Sequence, residues 1–211
     1  MATTRSGLAS PQLCPGLDRG EHAITRLLSH FRPLVSDHWL ALPFSDPPRE
    51  AVIASCGTVE IRQTESGFAA ETCVKGELGE ARVTALERLG RFIRRSHRDS
   101  ISLRTIRPLV QTAQEPDRWL VRIGLADGGA AAASRKDRVT IRFLPAETIA
   151  IVGLSSSDAP RLIARGAAMI RDAIAETPWE EAGSPMLRLC SPLAIMPFAG
   201  RLEVGLRVVR R

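Results

Sequence analysis

Apolar residues recur at intervals of three and four over two stretches of the chain and alternate with polar ones over much of the rest. From Glu80 onward, Ala81, Ala85, Leu89, Phe92 and Ile93 share one side, while Arg82, Glu87, Arg88, Arg91, Arg94 and Arg95 face elsewhere. That spacing predicts an amphipathic helix. A second helix is predicted after Ser157-Asp158, with Pro160 acceptable in its first turn and Leu162, Ile163, Gly166, Met169, Ile170, Ala173 and Ile174 at helical spacing. Val59 and Ile61 alternate with Glu60 and Arg62, a turn follows at Glu65-Ser-Gly67, and a second strand runs from Phe68 to Lys75. A hairpin is the natural expectation. Further strands are predicted near Ser100 to Val110, Trp119 to Leu125, Thr148 to Leu154, Met186 to Cys190 and Arg201 to Val209.

The second half repeats the order of the first. Val59-Glu-Ile-Arg62 returns 80 residues later as Val139-Thr-Ile-Arg142, and Thr148 to Leu154 matches Phe68 to Val74. Two copies of hairpin, helix and two strands predict an α+β fold: a pseudo-twofold repeat forming an eight-stranded, curved, barrel-like sheet with two helices. A cleft between helix and sheet is where an apolar ligand would lodge, oriented by a few polar groups.

Residues 1 to 48 read as a proline-rich extension with one short helix, Ala23 to Val35, and the run Pro43-Phe-Ser-Asp-Pro-Pro-Arg49 cannot continue a helix. The domain is expected from residue 49 to 211, with the Gly-Gly-Ala-Ala-Ala-Ala-Ser stretch at 128 to 134 as a connector between its halves.

Charge and cysteine content narrow the chemistry. The formal charge of +6 comes from 27 arginines and two lysines, Lys75 and Lys136, spread along the chain with no interleaved aromatics. Nucleic-acid binding is therefore not expected. No apolar run is long enough to cross a bilayer, and no secretory leader pattern follows Arg5, so a cytoplasmic protein is expected. The first 17 residues carry Ser, Thr and Arg without an acid, which leaves organellar import open. Cys14, Cys56, Cys73 and Cys190 make no CxxC pair, so no zinc or dithiol centre has its spacing. Cys73 and Cys190 read as small buried hydrophobes.

Over most of residues 52 to 209 the chain resembles the SOUL family of heme-binding proteins. The resemblance is carried, in order, by Val59-Glu-Ile-Arg62, by Phe68-Ala-Ala-Glu-Thr72 with Gly76, by Ala85 to Ile93, by Ile101 to Val110 with Thr105 and Pro108, by Cys190-Ser-Pro192 and by Arg201-Leu-Glu-Val204. Arg104 stands where the family has Met, and a residue is inserted before Pro108. The resemblance implies non-covalent binding of heme or a related tetrapyrrole by a carrier, buffer or sensor, with no catalytic machinery. The propionates would meet Arg91, Arg94, Arg95 and Lys75, although these positions equally suit a solvated helix end. His97, after the first helix, is the candidate axial ligand. Cys14-Pro15 resembles the Cys-Pro motif of heme-regulated proteins.

Glu71 and Glu203 support a second expectation. Each falls on a strand at a related place in one half, so both carboxylates could enter one cleft, or else form structural ion pairs with Arg62 or Arg201. The related gyrase-inhibitor-like effector-binding domains hold cationic aromatic compounds with a cleft Glu, and some members hydrolyse small molecules. A small-molecule binder or hydrolase of that type is the alternative to a tetrapyrrole protein, and a ligand-free scaffold is the third. No G-x-S-x-G, H-E-x-x-H or phosphate-loop motif is present.

Overall fold

The computed structural model of the chain describes residues 50–98, 103–126, 138–154, 159–190 and 202–211. The N-terminal extension, its boundary at residue 48, the connector at 128 to 134, the Ser157-Asp158 helix start and Arg201 lie outside the described residues.

Among the described residues there are two helices and ten strands where eight strands were expected. The first hairpin is β1 (Glu50–Cys56) and β2 (Val59–Thr64), turned at Gly57 with a φ of 61° that a side chain would resist. β3 (Gly67–Lys75) leads into α1 (Leu78–Arg98), and a second hairpin, β4 (Thr105–Glu115) with β5 (Arg118–Leu125), turns at Asp117 with a φ of 56°. The other half contains β6 (Thr140–Leu144), β7 (Thr148–Leu154), α2 (Ala159–Ile174), β8 (Trp179–Glu181), β9 (Met186–Leu189) and β10 (Leu202–Arg210). β1 is an addition before the repeat, and β8 is three residues laid against the end of β10, too short for alternation to reveal.

The pairing confirms the repeat and corrects its hairpins. The strand order is β1-β2-β7-β10-β9-β4-β5-β3-β6. Exchanging β2 with β6, β3 with β7, β4 with β9 and β5 with β10 reverses the order from β2 to β6 onto itself, as a twofold axis between β4 and β9 requires. Ile61 pairs with Ala150, and Ile141 pairs with Ala70, so the 80-residue offset is carried into the register. The two strands expected to form a hairpin, β2 and β3, do not pair with each other. They form one bent ribbon that lies antiparallel to the equally bent ribbon β6–β7, giving β2 to β7 and β3 to β6. The bends lock together where Thr64 N–H donates to the Glu147 carbonyl at 2.8 Å and the Thr64 hydroxyl accepts from Glu147 N–H at 3.1 Å. The sheet is curved and unclosed, with β1 and β6 at its ends.

Both helices lie against one face of this sheet. α1 packs on β3 and β5 through the predicted residues Ala81, Ala85, Leu89, Phe92 and Ile93, and α2 packs on β7 and β10 through Leu162, Ile170 and Ile174. Arg82, expected on the polar side of α1, is instead buried. Its Nε donates to Gln111 Oε1 at 3.1 Å, while Gln111 Nε2 donates to the Leu78 carbonyl at 2.9 Å. Burial pushes the Arg82 guanidinium down to about 10. Among the described residues, no helix is long and apolar enough to cross a membrane.

Candidate functional site

Strand residues alternate between faces, so the residues between the core positions of β2, β3, β5, β9 and β10 point away from the helices. On that face the register lines up a row across five adjacent strands. Glu71 of β3 pairs with Arg122 of β5, Arg122 with Val110 of β4, Val110 with Arg188 of β9, and Arg188 with Glu203 of β10. The order across the sheet is thus acid, base, valine, base, acid. Glu71, Arg188 and Glu203 are all buried.

At the Glu203 end the sheet's curvature brings β1 and β2 over the row. Arg62 of β2 reaches Glu203 Oε1 at 3.4 Å, Glu50 Oε2 at 3.2 Å and Glu60 Oε2 at 2.6 Å. Burial alone would lower its guanidinium, but the hydrogen bonds to Glu60 and Glu50 and the charge of Glu203 outweigh that and leave it raised. Arg188, 2% exposed, donates through Nη2 to Glu50 Oε1, and its Nε lies 3.8 Å from Glu203 Oε2. Glu50 sits four strands from Arg188 in the sheet order, so this contact ties the outermost strand to the centre. At the other end Glu71 takes Arg122 at 3.1 Å and Arg142 of β6 at 3.3 Å. Gly205 forms part of the floor, because a Cβ there would lie 3.1 Å from both Arg188 Cδ and Ile149 Cγ2.

Hydrogen bonds do not satisfy every atom of this network, and Glu71 Oε1 and Glu203 Oε2 meet Arg122 Nη2 and Arg188 Nε as ion pairs at 3.1 and 3.8 Å. Arg188 Nε and Nη1 and Arg122 Nε are buried without a hydrogen-bond partner among the described residues. Each such group costs about 1–3 kcal/mol if it stays unmet.

Cys190 borders the same end. Its thiol is pushed up to about 12, first by burial, then by the negative charge of Glu203 and a hydrogen bond with it. Cys73, expected to be buried, is exposed near the end of β3. At pH 8 a thiol titrating near 12 is about one part in ten thousand thiolate, and the thiolate is the reactive form. Alkylation with iodoacetamide at pH 8, mapped by mass spectrometry, should therefore modify Cys73 at least about tenfold faster than Cys190. Comparable rates for the two would contradict this picture.

The sequence-predicted residues divide between the two faces. Arg91, Arg94 and Arg95 lie in the last turns of α1: Arg91 is exposed and donates to the Glu87 carbonyl at 3.4 Å, while Arg94 and Arg95 are half-buried. Lys75 ends β3, exposed, with Arg118 as its strand partner. His97 is in the final turn of α1, and its side chain lies outside the described residues, as do Cys14 and the extension's histidines. Among the described residues no group of His, Cys, Asp and Glu could hold a metal ion. Glu71 and Glu203 do share one face, opposite α1, but not as symmetry mates. The repeat places Ile151 where Glu71 stands, and it matches β10 with β5 rather than with β3. Glu203 does pair with Arg62, as the structural reading allowed, whereas Glu71 pairs with Arg122 and Arg142. Arg188, Arg122 and Glu50 were not singled out by the sequence. A lone Arg within Met-Leu-Arg-Leu-Cys at 186 to 190 was the available signal for the first.

No protein-family model matches the chain, and no curated protein matches it in sequence. Among solved structures the fold is similar to the C-terminal domain of EcmrR, with a TM-score of 0.57 at 9% identity over 72% of this chain and 98% of that one. It is also similar to EcmrR in its complex with DNA, at 0.56 and 7% identity, covering 92% of this chain and 69% of that one. A hydrolase from Listeria innocua matches at 0.50 and 11% identity over 74% of this chain and 94% of that one. At such identities the likeness is one of fold: an α+β domain whose curved sheet is built from two related halves.

Proposed function

We propose that the described domain is a small-molecule-binding module of the effector-binding type, whose ligand lies on the helix-free face across Glu71, Arg122, Val110, Arg188 and Glu203. The observation that carries this reading is the buried charged row with hydrogen-bonding capacity to spare. Burying charge is costly, and a sheet face that needed only to be stable would be apolar or fully solvated. The fold shared with the EcmrR C-terminal domain supports the same reading, as does the expected kinship with gyrase-inhibitor-like domains.

The tetrapyrrole reading that follows from the SOUL resemblance would use the last turns of α1, where Arg91, Arg94, Arg95 and His97 lie, without Lys75, which stands before the first turn at the other end of that helix. The two readings are separable by location. Full-length protein is titrated by calorimetry with rhodamine 6G, 2-naphthoate and hemin, in parallel with Val110→Trp, which fills the middle of the row, and with Arg94→Ala/Arg95→Ala. The expected result is saturable binding of at least one probe, lost in Val110→Trp and kept in the double Arg variant. Binding of none of the three would overturn the proposal. A hemin Soret band that depends on Arg94 and Arg95 but not on Val110 would move the site to α1 and favour the tetrapyrrole reading.

A further inference from the structure

We infer that the ligand of this face is an anion with carboxylate-type acceptors, seated between Arg122 and Arg188 with its apolar body over Val110; the inference rests on the small-molecule reading above. The difference between the bases and the acids of the row lies in their ion pairs: Glu71 Oε1 and Glu203 Oε2 each face a guanidinium, at 3.1 and 3.8 Å, whereas Arg188 Nη1 and Arg122 Nε face no carboxylate among the described residues. Arg188 is 2% exposed, and its Nε and Nη1 find no hydrogen-bond acceptor among the described residues; Arg122 Nε is in the same condition. The carboxylates, by contrast, already serve cations: Glu50 and Glu203 each face Arg62 and Arg188, and Glu71 faces Arg122 and Arg142. Glu203 also meets the Cys190 thiol.

A cationic ligand would have to draw a carboxylate away from a guanidinium and leave a buried cation behind. An anionic ligand instead brings acceptors to donors that lack them, and the planar guanidinium fork matches a carboxylate in shape as well as charge. Spacing adds to the argument. Arg122 and Arg188 both pair with Val110 from opposite sides, so their Cα atoms are two strand steps apart, about 10 Å. An apolar residue between two cations at that separation suits a flat molecule with an acid at one or both ends.

The probe is 2,6-naphthalenedicarboxylate, compared with 2,6-bis(aminomethyl)naphthalene, which presents the same ring with opposite charge. Calorimetric titration of the full chain should show the dicarboxylate binding at least about tenfold more tightly. Arg122→Gln should weaken the dicarboxylate by about tenfold or more without weakening the diamine. Val110→Trp should abolish dicarboxylate binding, so the outcome does not hang on one variant. A diamine that binds as tightly as the dicarboxylate overturns the anion preference; if Val110→Trp then abolishes the diamine, the binding face itself survives. Dicarboxylate binding untouched by Arg122→Gln and Val110→Trp overturns the seat. Failure of both compounds to bind at millimolar concentration overturns the inference as well.

Discussion

Replacing Arg188 with Met should cost the domain about 3–5 kcal/mol, as removal of one partner from a buried charge pair generally does. Methionine fills much of the volume, so the loss reflects charge rather than a hole. Glu50 and Glu203, with side chains 7% and 2% exposed, would lose one of the two arginines they share, Arg62 being the other. The measurement is urea unfolding followed by circular dichroism. The triple variant Arg188→Met/Glu50→Gln/Glu203→Gln should recover more than half of the deficit, because neutral amides in the same places no longer need a cation. A single variant as stable as the parent would mean that the cluster is solvated in solution. A triple variant no better than the single one would mean that Arg188 acts by packing.

Gly166→Ala should also destabilise the domain, against the ordinary rule for helices. In an exposed helix interior the change gains roughly 0.8–1.0 kcal/mol. Gly166, however, is where α2 touches β10: a Cβ there would stand 2.6 Å from Val204 Cβ, 2.7 Å from its Cγ2 and 2.9 Å from its Cγ1. These atoms belong to a short branched side chain held by a central strand, so the helix must move. Overpacking of this kind costs roughly 1–3 kcal/mol, occasionally more, and against the gain in helix propensity of roughly 0.8–1.0 kcal/mol a net loss of about 1 kcal/mol is expected. At roughly 2–4 °C per kcal/mol for a chain of this size, the melting temperature should fall by about 2–4 °C. Val204→Ala should relieve the clash, so that the double variant is less destabilised than the two single changes added together. Strict additivity would show that the helix already stands clear of the strand.

These two positions mark how far the sequence could be read. Gly166 was visible as one of seven residues on the inner side of α2, since helical periodicity is local and repeats every turn. The same holds for Ala81 to Ile93 in α1 and for the alternation that located β2, β3, β5 and β7. Arg82 broke the pattern because Gln111, 29 positions away, supplies an acceptor inside the core. The hairpin at Glu65-Ser-Gly67 misled for a related reason. Turn residues specify that the chain bends but not which strand lies alongside afterwards, and the partner of β2 is β7, nearly ninety residues on. Glu71 and Glu203 were legible as acids in otherwise apolar strands. Their companions were not, because the row exists only once strand order and register are fixed, and neither can be read from any single segment.

β10 comes last in the chain and lies in the middle of the sheet, hydrogen-bonded to β7 on one side and β9 on the other. Until it arrives, β7 and β9 each present a bare edge, the kind of surface that recruits strands from other molecules. Completion of the sheet therefore depends on this one strand. The two halves exchange ribbons through β2–β7 and β3–β6, so neither can finish its own sheet first and wait for the other. The chain should be most prone to aggregate whenever this nine-residue strand is out of place. Glu203 is carried on that strand, so the charged cluster and the closure of the sheet depend on the same element.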